Sequence, residues 1–423
     1  MVCITREECI ALDKKDVLAS LRDQFDLPPN QIYLDGNSLG VLPKSTRTRL
    51  IHVLQEEWGR DLIRSWNTAG WMDMPNRVGD KIARLVGAAP GELIVADSTS
   101  VNLYKILSVA LKLVLADTPE RRTIISDKTM FPSDIYMMES LAKEYQLKLL
   151  LVDTANIVDA LDDTTALVLL TPVSYLTGEM VDMNEITSAV HSVGGLMLWD
   201  LAHSAGAHEV DLNGCNADFA VGCGYKYLNG GPGAPSFVWA HPRHVNRVAQ
   251  PLTGWLGHAA PFAFDRSYTP APGIQRYIAG SPPILSMVGL ECGVDTMLAA
   301  EPFGGMKAIR AKSIELTELF INCVKQFCSE VMEIVSPLDV NKRGSQVCLR
   351  FVQAEGNDTY GIVQALIARG IVGDFRAPDI LRFGFTPLYT RFVDVFNSVQ
   401  AIVDVLNTKE YKQQLYQVRA KVT

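Results

Sequence analysis

Between about residue 90 and residue 223 the chain alternates short apolar runs with longer amphipathic stretches. The apolar runs are ELIVAD (92–97), RTIISD (122–127), LKLLLVD (147–153), ALVLLTPV (166–173), GLMLWD (195–200) and ADFAVGC (217–223). Nearly continuous apolar runs of this length are typical of strands that are buried on both faces of a parallel sheet. The stretches between them are long enough for crossover helices. The pattern therefore predicts an α/β fold, with a mainly parallel sheet and helices on both faces.

Other patterns flank this region. STRTRLIHVLQEEWGRDL (45–62) has apolar residues at helical spacing and predicts a helix, whereas the proline- and glycine-rich segment 267–285 predicts a link between two domains. Beyond it we expect a long helix within roughly 284–329, and then a strand (345–351), a helix (359–370), a strand (380–385) and a final helix near 391–406. These elements predict a smaller C-terminal α+β domain.

The domain prediction has three parts. Residues 1–60 form an N-terminal arm and helix that pack with the small domain, residues 61–283 form the large α/β domain, and residues 284–423 form the small one. A chain of 423 residues, 48% of them hydrophobic, is long enough for two such cores.

Composition excludes several classes of protein. Thirty-nine basic and 47 acidic residues give a net charge of −8 without a basic patch, which argues against a nucleic-acid partner. No run reaches the ~18 apolar residues of a membrane helix, and the charged start does not resemble a signal peptide, so we expect no membrane partner and a cytoplasmic location. The eight cysteines form no C-x-x-C pair, so we expect buried reduced thiols and no metal site.

Lys226 follows the last apolar run, at the entrance to the glycine-rich loop of VGCGYKYLNGGPG (221–233). Ligands of parallel sheets bind beyond the carboxyl ends of the strands, so its amine is expected at the binding edge. A lysine that is desolvated there has a lowered pKa and can form a Schiff base with a carbonyl. The glycines would let the backbone lie close to a cofactor or a facing subunit. A lone lysine at such a place is more often a solvated surface residue, so the residues around it must indicate whether it has a chemical role.

Asp200 ends the neighbouring run, and His203 follows it in LAHSAGA. A buried carboxylate is costly unless it is paired, and pyridoxal phosphate requires such an acid at its pyridine nitrogen to act as an electron sink. In ADSTSVNLYKIL, Ser98, Thr99 and Ser100 stand between a strand and a helix, where hydroxyl and backbone N–H groups bind anions. Taken alone each feature is common; together, in this order, they favour a pyridoxal phosphate site.

Seven stretches of the chain resemble, in order, the signature motifs of the kynureninase family. They are YLDGNSLG, SWNTAGW, FPSD, WDLAHSAGA, GCGYKYLNGGPG, GWLGH and LRFGFTPLY, and the resemblance extends from about residue 5 to the terminal QVRAKVT. The resemblance implies pyridoxal 5′-phosphate as cofactor and the fold-type I architecture of the class V aminotransferase branch. It also implies hydrolysis of the Cβ–Cγ bond of L-kynurenine to anthranilate and L-alanine in tryptophan catabolism, with 3-hydroxykynurenine as a second candidate substrate.

The resemblance also implies roles for individual residues. Lys226 would carry the cofactor, Asp200 would pair with the pyridine nitrogen, and Tyr225, beside the phosphate, would be an acid–base partner. The other cofactor contacts implied within the same subunit are Thr99, Ser100, Phe131, Asp134, Thr171 and His203. Trp255 and Ser281 match contacts that the family supplies from a second subunit, which implies a homodimer with shared active sites.

The implied substrate contacts are Arg382, Trp66 and Gly280. Arg382 matches the arginine that binds the substrate α-carboxylate, a role that suits a planar guanidinium. Trp66 and Gly280 would shape the pocket for the aromatic ring, and a tryptophan at that place resembles members that prefer L-kynurenine.

The resemblance is weaker in TPVSYLTGEM, where bacterial members read closer to THVNYKTG. Pro172, Ser174 and Leu176 differ there, which puts substrate preference in doubt more than chemistry. Ser281 stands where threonine or asparagine is usual, but it keeps a hydroxyl group.

Two alternatives remain open at this stage. The first is another class V pyridoxal-phosphate enzyme, either an aminotransferase or a cysteine desulfurase, but Cys348 lies in a strand pattern rather than on a mobile loop. The second is a non-catalytic relative that acts as a binding protein. The joint presence of Lys226, Asp200 and Arg382 argues against it.

Overall fold

The computed structural model describes residues 4–420. Its strands are, in chain order, β1 (Ile32–Tyr33), β2 (Leu93–Val95), β3 (Thr123–Asp127), β4 (Lys148–Val152), β5 (Thr165–Leu170), β6 (Leu196–Asp200), β7 (Phe219–Gly222), β8 (Phe237–Ala240), β9 (Met332–Ile334), β10 (Gln346–Phe351), β11 (Ile371–Val372), β12 (Asp374–Arg376) and β13 (Ile380–Gly384).

The α-helices are α1 (Arg6–Asp13), α2 (Lys44–His52), α3 (Ser65–Thr68), α4 (Met74–Ala83), α5 (Thr99–Asp117), α6 (Pro132–Tyr145), α7 (Met183–Ser192), α8 (Pro242–Val245), α9 (Ile284–Leu298), α10 (Met306–Phe327), α11 (Asp358–Ala368), α12 (Phe392–Thr408) and α13 (Gln414–Gln417). A π-helical stretch (Val53–Asp61) continues α2, so the helix predicted over 45–62 is there but changes its winding.

The chain forms two units. The larger comprises residues 45–172 and 181–295, and the smaller comprises residues 1–44, 173–180 and 296–423. The division expected from the sequence had its boundaries at residues 60 and 283. The later boundary of the units lies inside α9, which runs on to Leu298 without a break.

The large unit contains a seven-stranded sheet in the order β2-β8-β7-β6-β5-β3-β4. All neighbouring pairs from β7 to β4 are parallel, and β8 is antiparallel to both β7 and β2. The six predicted strands are all in this sheet, which confirms the α/β prediction. β8, in SFVWA after the glycine-rich loop, was not predicted.

Helix α5 packs within the core of the large unit. Its buried side chains include Leu103, Ile106 and Leu107, which cluster with Ile124, Leu167 and other apolar residues of the sheet. The helix is long and apolar enough to cross a membrane by length and composition, but 61% of that stretch is buried inside the protein, as in a core helix.

The small unit contains an antiparallel sheet in the order β12-β13-β10-β9 and a parallel pair, β1 with β11. Helices α10, α11 and α12 cover a core of residues such as Phe320, Phe383 and Val399. The sequence predicted one long helix within 284–329. The structure has two instead, because Pro302 and the adjacent Gly304 and Gly305, both at positive φ, interrupt the helical path.

The segment 267–285, expected as a link between domains, belongs to the large unit. Ile274, Tyr277 and Ile278 are buried in the core that surrounds α5. Its prolines and glycines therefore shape a packed loop with a 3₁₀ turn (Gly273–Tyr277), and the prediction of a linker was wrong.

Candidate active site

Lys226 and Asp200 lie at the carboxyl ends of two neighbouring strands. β6 ends at Asp200, which pairs in register with Val221 of β7, and Lys226 follows four residues after β7 ends. The Lys226 amine is half-buried, and its Nζ lies 3.0 Å from Nε2 of His203 and 5.7 Å from the centre of the Tyr225 ring. The parallel register thus brings together side chains that are 23 and 26 residues apart in the sequence.

Asp200 forms a buried carboxyl pair with Asp134, which lies in the first turn of α6. Both side chains are almost fully buried, at 6% and 3% exposure. Burial raises the pKa of Asp134, and the charge and hydrogen bond of Asp200 raise it further, whereas Lys226 lowers it. Burial also raises the pKa of Asp200, but the charge of Lys226, the Ala202 N–H and the bond from Asp134 oppose this. The hydrogen bond between the two carboxyl groups raises the pKa of Asp134 and lowers that of Asp200, so Asp134 is the member of the pair that favours a proton.

The pairing of Asp134 with Asp200 affects the charge of Asp200. A protonated Asp134 donates a hydrogen bond to an ionised Asp200, so Asp200 keeps its charge in a place where an isolated carboxylate would be neutralised. Such a charge can stabilise a protonated ring nitrogen that is brought against it. Asp134 is then a support for Asp200, a role that the spacing of FPSD alone does not disclose.

A turn suited to binding an anion lies at the carboxyl end of β2. Asp97 adopts a left-handed conformation (φ 47°), Ser98 caps α5 by accepting a hydrogen bond from the Val101 N–H, and Thr99 and Ser100 form the partly exposed first turn. The free N–H groups and the dipole of a 19-residue helix favour an anion at this point.

Lys105 holds this turn in place, although the sequence pattern did not predict it. The amine is fully buried; it donates to Asn102 Oδ1 at 2.9 Å and to the Tyr277 carbonyl at 2.7 Å, and it forms an ion pair with Asp97. Burial lowers the pKa of Lys105, and the charge of Asp97 opposes this shift. The available signal was a lysine at the start of the largely apolar KILSVALKLVL stretch (105–115).

The glycine-rich loop needs its glycines for two reasons. A Cβ on Gly224 would lie 2.4 Å from the Pro235 carbonyl, and one on Gly230 would lie 2.6 Å from the Gly224 carbonyl. Gly231 and Gly233 have open space but adopt positive φ values of 81° and 74°. The backbone of the loop therefore packs on itself directly after Lys226.

The remaining residues predicted for the large unit lie nearer the surface. Phe131 caps α6 and is 46% exposed, Trp255 is 43% exposed in a 3₁₀ turn, and Gly280 and Ser281 are exposed. Thr171 follows β5 at the same edge of the sheet as Asp200, and Trp66 packs edge-on against Trp71 at 5.7 Å. Their share in the site remains a prediction.

Arg382, on β13 of the small unit, is 1% exposed and is held by several partners. Its Nη2 forms an ion pair with Asp374 and donates to Ser38 Oγ at 2.8 Å, and its Nη1 donates to the Tyr175 carbonyl at 2.8 Å. Arg382 was predicted from the sequence, but none of these partners was.

Comparison with known proteins identifies the family. A kynureninase from Burkholderia pseudomallei (strain 1106a) is 50% identical over 424 residues, which cover 99% of this chain and 100% of that protein. A kynureninase from Pseudomonas fluorescens is 48% identical over 423 residues, with 99% and 100% covered. Residues 309–402 match the family described as the kynureninase C-terminal domain.

Solved structures show the same fold at low sequence identity. The apo cysteine desulfurase from Thermococcus onnurineus NA1 superposes with a TM-score of 0.77 at 18% identity, covering 92% of this chain and 98% of that one. The cystine C-S lyase C-DES gives 0.77 at 16% identity, covering 89% and 98%. These likenesses confirm the fold-type I prediction, and the identity over the whole length shows that the chain belongs to the kynureninase family.

Proposed function

We propose that this protein is a pyridoxal 5′-phosphate-dependent kynureninase that hydrolyses L-kynurenine to anthranilate and L-alanine. The observation that carries the proposal is the 50% identity to a kynureninase over the whole chain. The arrangement of Lys226, Asp200 and the start of α5 supports it, because an amine, a buried carboxylate and an anion-binding turn lie at one edge of one sheet.

The residues present suit the cofactor. Lys226 would bind its aldehyde carbon, Asp200 supported by Asp134 would hold its ring nitrogen, and Thr99 and Ser100 would bind its phosphate. When bound, pyridoxal phosphate supplies an electron sink for the pair released at the substrate Cα.

The residues of the chain would then move protons and position the substrate. Lys226 would be the base at Cα, and His203, whose Nε2 lies 3.0 Å from Lys226 Nζ, would hold the amine in place. Tyr225, whose ring centre lies 5.7 Å from Lys226 Nζ, is the candidate acid–base partner. Water adds to the γ-carbonyl, the Cβ–Cγ bond breaks, Cγ leaves as the carboxylate of anthranilate, and Cβ takes a proton to give L-alanine.

The direct test is turnover of L-kynurenine by the purified holoenzyme, with anthranilate and L-alanine measured in equal amounts. A parallel assay with 3-hydroxykynurenine tests the predicted preference for L-kynurenine, which rests on Trp66. Release of alanine or sulfide from cysteine without cleavage of kynurenine would instead favour the desulfurase alternative.

We also propose that two copies of the chain share their active sites. Near Trp255, the side chains of Phe262 and Phe264 are 63% and 78% exposed, and Trp58 and Ile63 of another segment are 55% and 76% exposed. Apolar rings in such positions are costly in water and are suited to an interface with a second copy.

A complementation experiment tests the shared site. In this proposal each site combines Lys226 of one subunit with Trp255 of the other. Lys226→Ala removes the first contribution and Trp255→Ala removes the second, so neither homodimer is active. When the two variants are refolded together in equal amounts, half of the dimers are hybrids with one intact site, and about a quarter of the wild-type activity returns. No recovery, with hybrids shown by native mass spectrometry, would contradict shared sites.

A further inference from the structure

We propose that Asp374, together with Ser38 of the YLDGNSLG motif, is a positioning residue that fixes the guanidinium of Arg382 for binding the α-carboxylate of an amino acid. This inference rests on the proposed function, because it takes the predicted role of Arg382 as its starting point. It assigns a purpose to a motif, residues 33–40, that the cofactor site leaves unexplained.

The N–H groups of Arg382 are almost fully used within the small unit. Nη2 binds both Asp374 Oδ2 and Ser38 Oγ, and Nη1 donates to the Tyr175 carbonyl. When the Asn37 amide is turned so that both of its groups are satisfied, its oxygen accepts from Nε at 3.0 Å. Of the five N–H groups, these contacts leave one, on Nη1, for a ligand.

The motif is locked onto the strand that carries Arg382. Leu34 donates to the Val372 carbonyl at 2.7 Å and accepts from the Gly384 N–H at 2.6 Å. A Cβ on Gly36 would lie 2.3 Å from Thr386 Oγ1, and a Cβ on Gly384 would lie 2.1 Å from Asn37 Oδ1. Glycine at both positions lets the turn lie directly against β13, so that Ser38 reaches a guanidinium 344 residues away in the sequence.

Asp374 is central to this arrangement. It is 2% exposed and lies opposite Arg382 in the β12–β13 register, and it also forms an ion pair with Arg376 at 2.7 Å. Burial and the charge of Asp374 raise the pKa of the nearby Asp35 to about 6. At pH 7.5 the two carboxylates therefore balance the two arginines, so the cluster offers an anion an oriented donor rather than an excess of positive charge.

The direction in which Asp374→Asn changes the affinity for a carboxylate distinguishes positioning of Arg382 from simple electrostatic attraction. Asp374→Asn removes a negative charge next to Arg382, so by charge alone the variant binds a carboxylate more tightly than the wild type. If Asp374 instead fixes the guanidinium, the variant binds it more weakly, because the arginine is free to turn away. The two readings predict opposite changes in one dissociation constant.

The experiment measures binding of L-alanine and of L-alaninamide, which lacks the carboxylate, to the holoenzyme by calorimetry at pH 7.5. We expect Asp374→Asn to weaken L-alanine binding about tenfold and to leave L-alaninamide unchanged, and Ser38→Ala to weaken L-alanine binding about fivefold. With L-kynurenine, KM rises by similar factors, and kcat stays within about threefold.

Two control variants are available in the same sheet. Arg376→Gln removes the second arginine that pairs with Asp374, and Asp379→Asn breaks the half-exposed pair with Arg350 on the adjoining strand. Both should bind L-alanine as the wild type does. If Arg376→Gln weakens it as much as Asp374→Asn, the effect comes through Arg376 and the proposal is wrong.

The outcomes also separate this proposal from the proposed function. Unchanged or tighter L-alanine binding in Asp374→Asn, or an equal loss for L-alaninamide, overturns the positioning role. A wild type that binds L-alanine but does not cleave L-kynurenine overturns the proposed activity and still allows the positioning test. If Asp374→Asn does not fold, the partly buried Ser38 provides the test, because Ser38→Ala without a loss of L-alanine affinity overturns the proposal.

Discussion

Asp218 offers the sharpest test of what stabilises the large unit. It precedes β7, is 2% exposed, and accepts hydrogen bonds from the Met197 N–H at 2.7 Å, from His191 Nε2 at 2.8 Å and from His244 Nε2 at 2.7 Å. Arg243 adds an ion pair through Nε at 3.1 Å and through Nη2. These donors hold the pKa of Asp218 well below its usual range, against the effect of burial.

Replacing this carboxylate by an amide, Asp218→Asn, should destabilise the large unit strongly. Removing one partner of a buried ion pair costs about 3–5 kcal/mol, because the opposite charge is left without compensation. Arg243 is 31% exposed and keeps bonds to the Asn216 and Ala217 carbonyls, so we expect the lower end, about 3 kcal/mol. In urea this corresponds to a midpoint that is lower by roughly 1 M.

The pH dependence of the stability difference between wild type and Asp218→Asn provides a second test. Because the folded pKa of Asp218 is depressed, its contribution is fully present above the unfolded value of about 3.9 and is lost as the pH falls toward the folded value. The difference in stability between wild type and Asp218→Asn should therefore be full at pH 7 and should narrow below about pH 4.

The assay is urea unfolding followed by circular dichroism, with Asp117→Asn as the matched control. Asp117 also forms an ion pair with an arginine, Arg247 at 2.7 Å, but both side chains are nearly half exposed, so its loss should cost less than about 1 kcal/mol. Asp218 lies at the opposite end of β7 from the Lys226 loop, so kcat should be unchanged. Equal midpoints for the two variants, or a loss of kcat without a loss of stability, would refute the reasoning.

Three further outcomes follow from the site. Lys226→Ala should abolish turnover and the visible absorbance of the covalently held cofactor, with the unfolding midpoint unchanged. Asp200→Asn should keep the cofactor but lower kcat by about a hundredfold or more in steady-state assays, because the charge at the ring nitrogen is lost. Lys105→Met should cost about 2–4 kcal/mol in urea unfolding and weaken cofactor binding measured by fluorescence, since the carbonyl of Tyr277 and the amide of Asn102 lose their donor.

The central sheet was predictable because each of its parallel strands is a nearly continuous apolar run. Leu196–Asp200, for example, can be read directly from GLMLWD. β8 and β12 could not be found in this way, because a short strand beside a glycine loop or a tight turn carries too little periodic signal. Their positions are decided by pairing with β7 and β13, which is a tertiary effect.

The site was predictable in part, for a related reason. Lys226, Asp200 and Ser98–Thr99–Ser100 follow strands, so their shared edge can be inferred from the rule for parallel sheets. The residues that hold these side chains in place cannot be inferred in this way. The proton on Asp134, the bond of Lys105 to the Tyr277 carbonyl and the contact of Ser38 with Arg382 all depend on distances between residues that are far apart in the chain.

The segment 173–180 contacts the sheet of the small unit largely through its main chain. The Tyr175 carbonyl accepts from Arg382 at 2.8 Å and from Gln346 at 3.1 Å, and the Leu176 carbonyl lies 3.0 Å from the Cys348 thiol. A peptide carbonyl is common to every amino acid, so the side chain at 176 can change without removing these acceptors, whereas Ser174 also shapes the turn because its Oγ accepts from the Leu176 N–H at 3.3 Å. The differences in TPVSYLTGEM therefore leave the main-chain acceptor of Arg382 in place.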